Sequence, residues 1–76
     1  MFGEAEWKNL QLMYKSVLSD TLQSKNLQTN LDEVTKAITE LDEIIKKERL
    51  TGKPTPSLDD IKNDFYYLKY EILERI

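Results

Sequence analysis

The chain has 76 residues, with 11 basic and 14 acidic side chains, a net charge of −3 and neither cysteine nor histidine. Disulfides are therefore excluded, the usual ligands of zinc are absent, and we expect no cofactor. Basic and acidic residues alternate along every segment and no apolar run approaches the ~20 residues that cross a bilayer, so we expect neither a nucleic-acid nor a membrane partner.

The first predicted helix covers residues 4–24 and has a broad apolar face. At about 100° per residue its centre is formed by Trp7, Leu10, Tyr14 and Val17, and its flanks by Met13, Leu18 and Leu22. A face this wide exceeds what one partner helix covers, so we expect two neighbouring helices to pack on it rather than an external protein. Leu12 lies outside the face and Phe2 precedes the helix, which makes both candidates for exposed contact with a partner.

The polar stretch over residues 19–30 predicts a turn. Ser, Thr and Asn side chains compete for backbone hydrogen bonds and favour caps and turns over helix interiors. Two residue pairs match an N-terminal capping pattern, Asn30 with Glu33 and Thr29 with Asp32, so we place the break at residues 25–29. Because neither Gly nor Pro enforces this break, one long helix that continues to residue 50 is the alternative.

A second helix over residues 30–50 is the most regular predicted element. Its apolar seam repeats at steps of four and three residues and begins in the turn: Leu27, Leu31, Val34, Ile38, Leu41 and Ile45. Acidic residues occupy the first turn of this helix and basic residues its last, as the helix dipole favours. Gly52 is placed to end the helix with a left-handed backbone, and Pro54 follows it.

The last helix is predicted over residues 58–75, where Ser57 and Asp60 have the spacing of a capping box. Its apolar stripe consists of Leu58, Ile61, Phe65, Leu68, Ile72 and Ile76. This stripe is the natural antiparallel partner of the seam on the second helix. The predicted fold is an all-α three-helix bundle forming a single domain over residues 1–76. A long helical hairpin that dimerises into a four-helix bundle is the alternative.

Tyrosines are the most distinctive residues of the last helix. Tyr66, Tyr70 and Leu73 form a second set beside the apolar stripe, and Tyr67 lies on yet another side. Aromatic residues are enriched at protein interfaces because they bury a large area while keeping a polar tip hydrated. These positions are therefore candidate interface residues. In the alternative interpretation the first helix packs on this face, and the tyrosines cover the core.

The acidic side chains of the second helix do not indicate catalysis. Glu40, Asp42 and Glu43 lie close together, but paired carboxylates act as general acid and base only in a cleft that shifts one pKa. Flanked by lysines, they are typical of a solvated helix face. The chain also lacks a glycine-rich phosphate loop and the ligand spacing of an EF-hand, so we expect no enzymatic activity.

These features predict a small acidic interaction protein of the cytoplasm. The first residues lack the basic and apolar regions of a secretory signal, which favours that location. A regulator, inhibitor or adaptor that docks a helix face onto a larger protein is the favoured function. The alternatives are a self-associating structural module, including a homodimer, and an acidic inhibitor of the immunity type that binds a toxin. No motif identifies the partner.

Overall fold

Three helices account for most of the computed structural model, which describes residues 3–76. They are α1 (Glu4–Leu22), α2 (Leu27–Leu50) and α3 (Pro56–Arg75). All three pack against one another and no strand occurs between residues 3 and 76, which confirms the predicted all-α three-helix bundle. Phe2, a candidate contact residue, lies outside the described residues.

The core forms where the seam of α2 meets the stripe of α3, the most extensive of the three interhelical contacts. The buried apolar side chains of these two helices are Val34, Ala37, Ile38, Leu41, Ile45, Leu58, Ile61, Phe65, Leu68 and Ile72. Leu27 and Leu31, at the start of the seam, are half-buried, and Ile76, at the end of the stripe, is exposed. Helical periodicity thus identified the buried side of both helices except at their ends, where few neighbours remain to cover them.

α1 packs on both α2 and α3, as the width of its apolar face predicted. Val17 is buried, and five further side chains pack half-buried against the core: Trp7, Leu10, Met13, Tyr14 and Leu18. The Tyr14 ring meets Phe65 edge-on, with 5.9 Å between ring centroids and 86° between ring planes. Leu22, predicted on the flank of this face, is instead exposed. Thr21 is buried in its place, because it follows Val17 by one helical turn.

Two residues with left-handed backbone separate α1 from α2, so the alternative of one continuous helix is wrong. Ser24 and Asn26 have φ values of 53° and 51°. The Ser24 amide donates to the Thr21 carbonyl at 3.0 Å. The Lys25 amide donates to the Asp20 carbonyl at 2.8 Å. These two bonds complete a Schellman motif in which serine occupies the position that glycine usually takes.

α2 begins at Leu27, before the predicted start, and neither predicted capping pair forms. Asn26 is the N-cap residue, and its carbonyl accepts the Asn30 amide at 2.9 Å. The side chain of Asn30 is buried, and its amide group donates to the Lys25 carbonyl at 3.2 Å. The asparagine that was predicted as a cap therefore lies inside the first turn of the helix, where it holds the preceding turn in place.

The turn after α2 has the predicted left-handed glycine. Gly52 has a φ of 78°, and its amide donates to the Arg49 carbonyl at 3.0 Å. The Lys53 amide donates to the Glu48 carbonyl at 3.0 Å, which completes a second Schellman motif. Both turns of the bundle therefore use the same hydrogen-bond pattern, once with glycine and once without it.

α3 begins at Pro56, two residues before the predicted start, and the predicted capping box of Ser57 with Asp60 does not form. Proline is favoured at the first helical position because its ring fixes φ near the helical value and its missing amide would have no partner there. Thr55 is therefore the N-cap residue. Its hydroxyl, on a buried side chain, donates to the Asp59 carboxylate at 3.3 Å.

Candidate functional site

The predicted interface residues of α3 lie together on its outer side. Tyr67, Tyr70 and Leu73 are 71%, 59% and 48% exposed, and Tyr66 is half-buried. A shallow depression is lined by Asn63 and the three tyrosines, and Leu73 lies one turn beyond Tyr70. We call these five residues (Asn63, Tyr66, Tyr67, Tyr70 and Leu73) the tyrosine face.

α1 does not cover the tyrosine face. The alternative in which it packs there and the tyrosines cover the core is therefore wrong for Tyr70 and Leu73, which are exposed, whereas Tyr66 does pack against the core. α1 packs instead on the opposite flank of α3, where Trp7 and Tyr14 line a groove with Asp60, Ile61 and Asp64. On a helical wheel Asp64 and Tyr66 lie about 100° to either side of Phe65, and α1 lies on the Asp64 side.

Tyr66 forms the inner edge of the tyrosine face, where it packs against the core. The Lys62 ammonium lies 5.9 Å from the centroid of its ring, close enough for a cation–π contact. Lys62 also forms an ion pair with Asp42 of α2. The hydrogen bond to the Asp42 carboxylate raises the pKa of Lys62 above its ordinary value of 10.5, so the Lys62 ammonium stays charged at neutral pH.

Part of the charge around the tyrosine face is neutralised within the protein. Lys62 and Asp42 compensate each other, and one turn away Arg49 of α2 pairs with Asp59 of α3 at 3.2 Å. What the face offers a partner is aromatic surface, tyrosine hydroxyls and the amide of Asn63. Such a surface resembles the centre of protein interfaces, which is depleted in charge and enriched in aromatic residues.

The candidate contact residue of α1 lies elsewhere. Leu12 is 64% exposed, and it is on the side of α1 that faces away from α2 and α3. The structure therefore does not bring Leu12 together with the tyrosines. Leu22, Leu50 and Ile76 are also exposed, although the sequence placed Leu22 and Ile76 on apolar faces. Single exposed apolar residues are normal on any protein surface.

The acidic residues of α2 are not gathered into one site. Asp42 pairs with Lys62, Glu43 is exposed, and Glu40 lies beside a groove between α1 and α2. Across residues 3–76 no group of three or more His, Cys, Asp or Glu side chains could hold a metal ion. Over the same residues no helix is long and apolar enough to cross a membrane.

Sequence reasoning missed one concave feature, a groove between α1 and α2 with a volume of about 260 Å³. Its floor consists of Leu10, Met13, Ala37, Leu41 and Ile44. Its rim and its continuation along α2 carry Glu6, Asn9, Glu33, Lys36 and Glu40. Ala37 and Ile44 were the available signal, because both lie beside the predicted seam and have no role in it. We call this feature the α1–α2 groove.

Comparison with protein-family models, with curated proteins and with solved structures found no match to this chain. The arguments for function therefore rest on the two surfaces just described, the tyrosine face and the α1–α2 groove. The two differ in chemistry: the first is a shallow aromatic surface lined by uncharged side chains, and the second is an aliphatic groove with an acidic rim.

Proposed function

We propose that this chain is a non-enzymatic protein-binding module whose tyrosine face packs against a helix of a larger protein. The observation that carries the proposal is the exposure of Tyr67 and Tyr70 on a helix held rigidly by the core. Tyrosine is enriched among the residues that dominate binding energy. With two side-chain torsions it also gives a large contact area at a low entropic cost.

The spacing of the tyrosine face favours a helix as its occupant. Asn63, Tyr66, Tyr67 and Tyr70 follow one another at i, i+3, i+4 and i+7, which forms a ridge along one side of α3. Ridges with this spacing fit the grooves between side chains of another helix. A peptide that binds by adding a β-strand would need an open strand edge, and residues 3–76 contain no strand.

The chemistry of the tyrosine face favours a partner helix with an apolar and neutral polar surface. At the centre of this face a charged side chain of the partner would lose water without gaining an opposite charge, because the residues that line the depression are uncharged. Tyrosine hydroxyls and the Asn63 amide can instead exchange hydrogen bonds with neutral groups. Aliphatic side chains of the partner would pack on the rings.

The test compares the wild type with a Tyr67→Ala/Tyr70→Ala double variant. A Leu12→Ala/Leu50→Ala double variant is the matched control, since it also removes two exposed large side chains but from other sites. Circular dichroism and thermal unfolding should show both variants folded, because all four side chains are exposed. The partner is captured from cells with the wild type, identified, purified and titrated against each variant.

We expect the tyrosine variant to bind the identified partner at least about 10-fold more weakly, and the control to bind as the wild type does. Amide shifts in a ¹H–¹⁵N spectrum of the complex should centre on α3 around Tyr70. Equal binding by the tyrosine variant, or shifts centred on α1, would contradict the proposal. Mass that rises with concentration in light scattering, and falls in the tyrosine variant, would make a second copy of this chain the occupant instead.

A further inference from the structure

The α1–α2 groove lies away from the tyrosine face, and its apolar floor is only partly covered. Leu10, Met13 and Ile44 are half-buried, whereas Ala37 and Leu41 beneath them are buried. The short side chain of Ala37 lies at the floor of the groove and leaves the space open. The groove therefore offers a concave aliphatic surface of the kind that accepts apolar side chains of a peptide.

The rim of the α1–α2 groove has an excess of negative charge. Glu6, Glu33 and Glu40 border the groove and its continuation, against the single cation Lys36. Within residues 3–76 none of these three carboxylates takes part in an ion pair. The Glu6 carboxylate accepts one hydrogen bond, from the Gly3 amide at 3.1 Å. This rim contrasts with the depression of the tyrosine face, which only uncharged side chains line.

We propose that the α1–α2 groove binds a basic amphipathic peptide segment of a partner protein. Apolar side chains at helical spacing would enter the groove between Leu10, Met13 and Ile44, and lysine or arginine side chains beside them would pair with Glu33 and Glu40. Helix-in-groove binding of this kind uses apolar anchors at i, i+3/i+4 and i+7. Charge complementarity at the rim selects the basic partner and speeds its association. The inference does not depend on the proposed role of the tyrosine face.

The test uses three synthetic helical peptides of equal length. The first has leucines at i, i+3 and i+7 with flanking lysines; the second replaces the lysines by glutamate; the third replaces the leucines by serine. Each is titrated into the whole protein by calorimetry and followed by ¹H–¹⁵N spectra. The protein variants are Glu33→Gln/Glu40→Gln and, as the matched control, Glu43→Gln/Glu74→Gln, which removes the same charge from exposed positions elsewhere.

We expect the lysine–leucine peptide to bind and to shift the amides of Met13, Ala37 and Ile44. The glutamate and serine peptides should not bind. The Glu33→Gln/Glu40→Gln variant should bind about 3- to 10-fold more weakly than the control variant, in line with two partly exposed ion pairs. Added salt should weaken binding by the wild type more than by this variant, because salt screens the rim charges.

Three results would overturn the inference: absence of binding by the lysine–leucine peptide, equal binding by the glutamate peptide, or shifts that centre on α3. The Tyr67→Ala/Tyr70→Ala variant separates this inference from the proposed function. It should bind the basic peptide as the wild type does, even though it loses the partner of the tyrosine face. Loss of peptide binding in that variant would place the peptide on the tyrosine face and contradict the groove.

Discussion

The hairpin of α2 and α3 is held far more firmly than α1. Leu41, Phe65 and Ile72 lie at the centre of the hairpin and are fully buried. The buried side chains of α1 are Val17 and Thr21, and the other members of its apolar face remain half-buried. The difference teaches that the hairpin supplies most of the core, while α1 is a covering layer that leaves grooves along both of its edges.

The two turns differ in backbone strain, and the less strained turn is the one inside the α2–α3 hairpin. Gly52 takes the left-handed position after α2 without steric cost, since glycine has no Cβ. Ser24 takes the equivalent position after α1 with a Cβ that disfavours it, and Asn26 is left-handed as well. The unstrained turn thus joins the two tightly packed helices, and the strained turn attaches the more loosely packed one. Four substitutions test this contrast, from the largest expected effect to the smallest.

Phe65→Ala should destabilise the protein by about 3–5 kcal/mol, because it removes a fully buried ring and leaves a cavity in the hairpin core. A chain of this size has a total stability of roughly 4–11 kcal/mol, so this single substitution removes a large part of it. Urea unfolding followed by circular dichroism measures the effect. Tyr67→Ala is the control, an exposed ring on the same helix that should change stability by less than about 0.5 kcal/mol. Equal stability of the two variants would contradict the assigned core.

Gly52→Ala should lower the free energy of unfolding by about 1–2 kcal/mol. Nothing lies within 4 Å of an added Cβ at this position, so the cost comes from the left-handed backbone alone and not from a clash. Thermal unfolding compares this variant with Gly3→Ala at the start of α1, where φ is −119° and alanine is free of that backbone cost. An unchanged stability of Gly52→Ala would mean that the turn does not hold this conformation in solution.

Thr21→Val should stabilise the protein by about 1 kcal/mol. The Thr21 hydroxyl oxygen is fully buried and has no hydrogen-bond partner, and valine has nearly the same shape without the polar group. Denaturant unfolding measures the gain, and Thr21→Ser, which keeps the hydroxyl and loses the methyl group, should be destabilising. A loss of stability in Thr21→Val would show that the hydroxyl has a partner in solution.

Ser24→Gly should stabilise the protein by roughly 0.5–1 kcal/mol, since it relieves the left-handed strain and loses part of that gain to the greater entropy of the unfolded chain. Hydrogen exchange should then show slower opening of α1 with little change in the α2–α3 hairpin. Ser16→Gly, in the interior of α1, is the control with an expected effect of opposite sign, and it should destabilise the protein by a similar amount. A destabilised Ser24→Gly variant would remove the proposed contrast between the two turns.

Sequence reasoning succeeded wherever a local rule decided the outcome. The steps of three and four residues located the buried side of α2 and α3. Gly52 correctly predicted the end of α2, because glycine adopts the left-handed backbone conformation that the turn uses. Sequence reasoning placed the start of α1 correctly at Glu4 and failed at the starts of α2 and α3. Several polar residues near each start could serve as a cap, and neither the proline at position 56 nor the pair Ser24 and Asn26 was recognised as the deciding feature.

The candidate surfaces were less predictable than the fold. The exposure of Tyr67 and Tyr70 followed from their positions about 150° from the centre of the stripe, whereas the half-burial of Tyr66 depended on how the helices pack. The α1–α2 groove was missed entirely, because a groove is defined by the separation of two helices. The pattern of apolar residues along one helix does not give the distance between that helix and its neighbour.

By itself, the sequence determined the number of helices, the antiparallel partnership of α2 and α3, and the glycine turn between them, because periodicity and backbone sterics act within a few residues. Only the tertiary structure decided which flank of α3 is covered. Asp64 and Tyr66 lie at equal angles on either side of the stripe, so α1 could pack on either side without changing its own apolar face. In the structure α1 lies on the Asp64 side, and Tyr67 and Tyr70 are exposed.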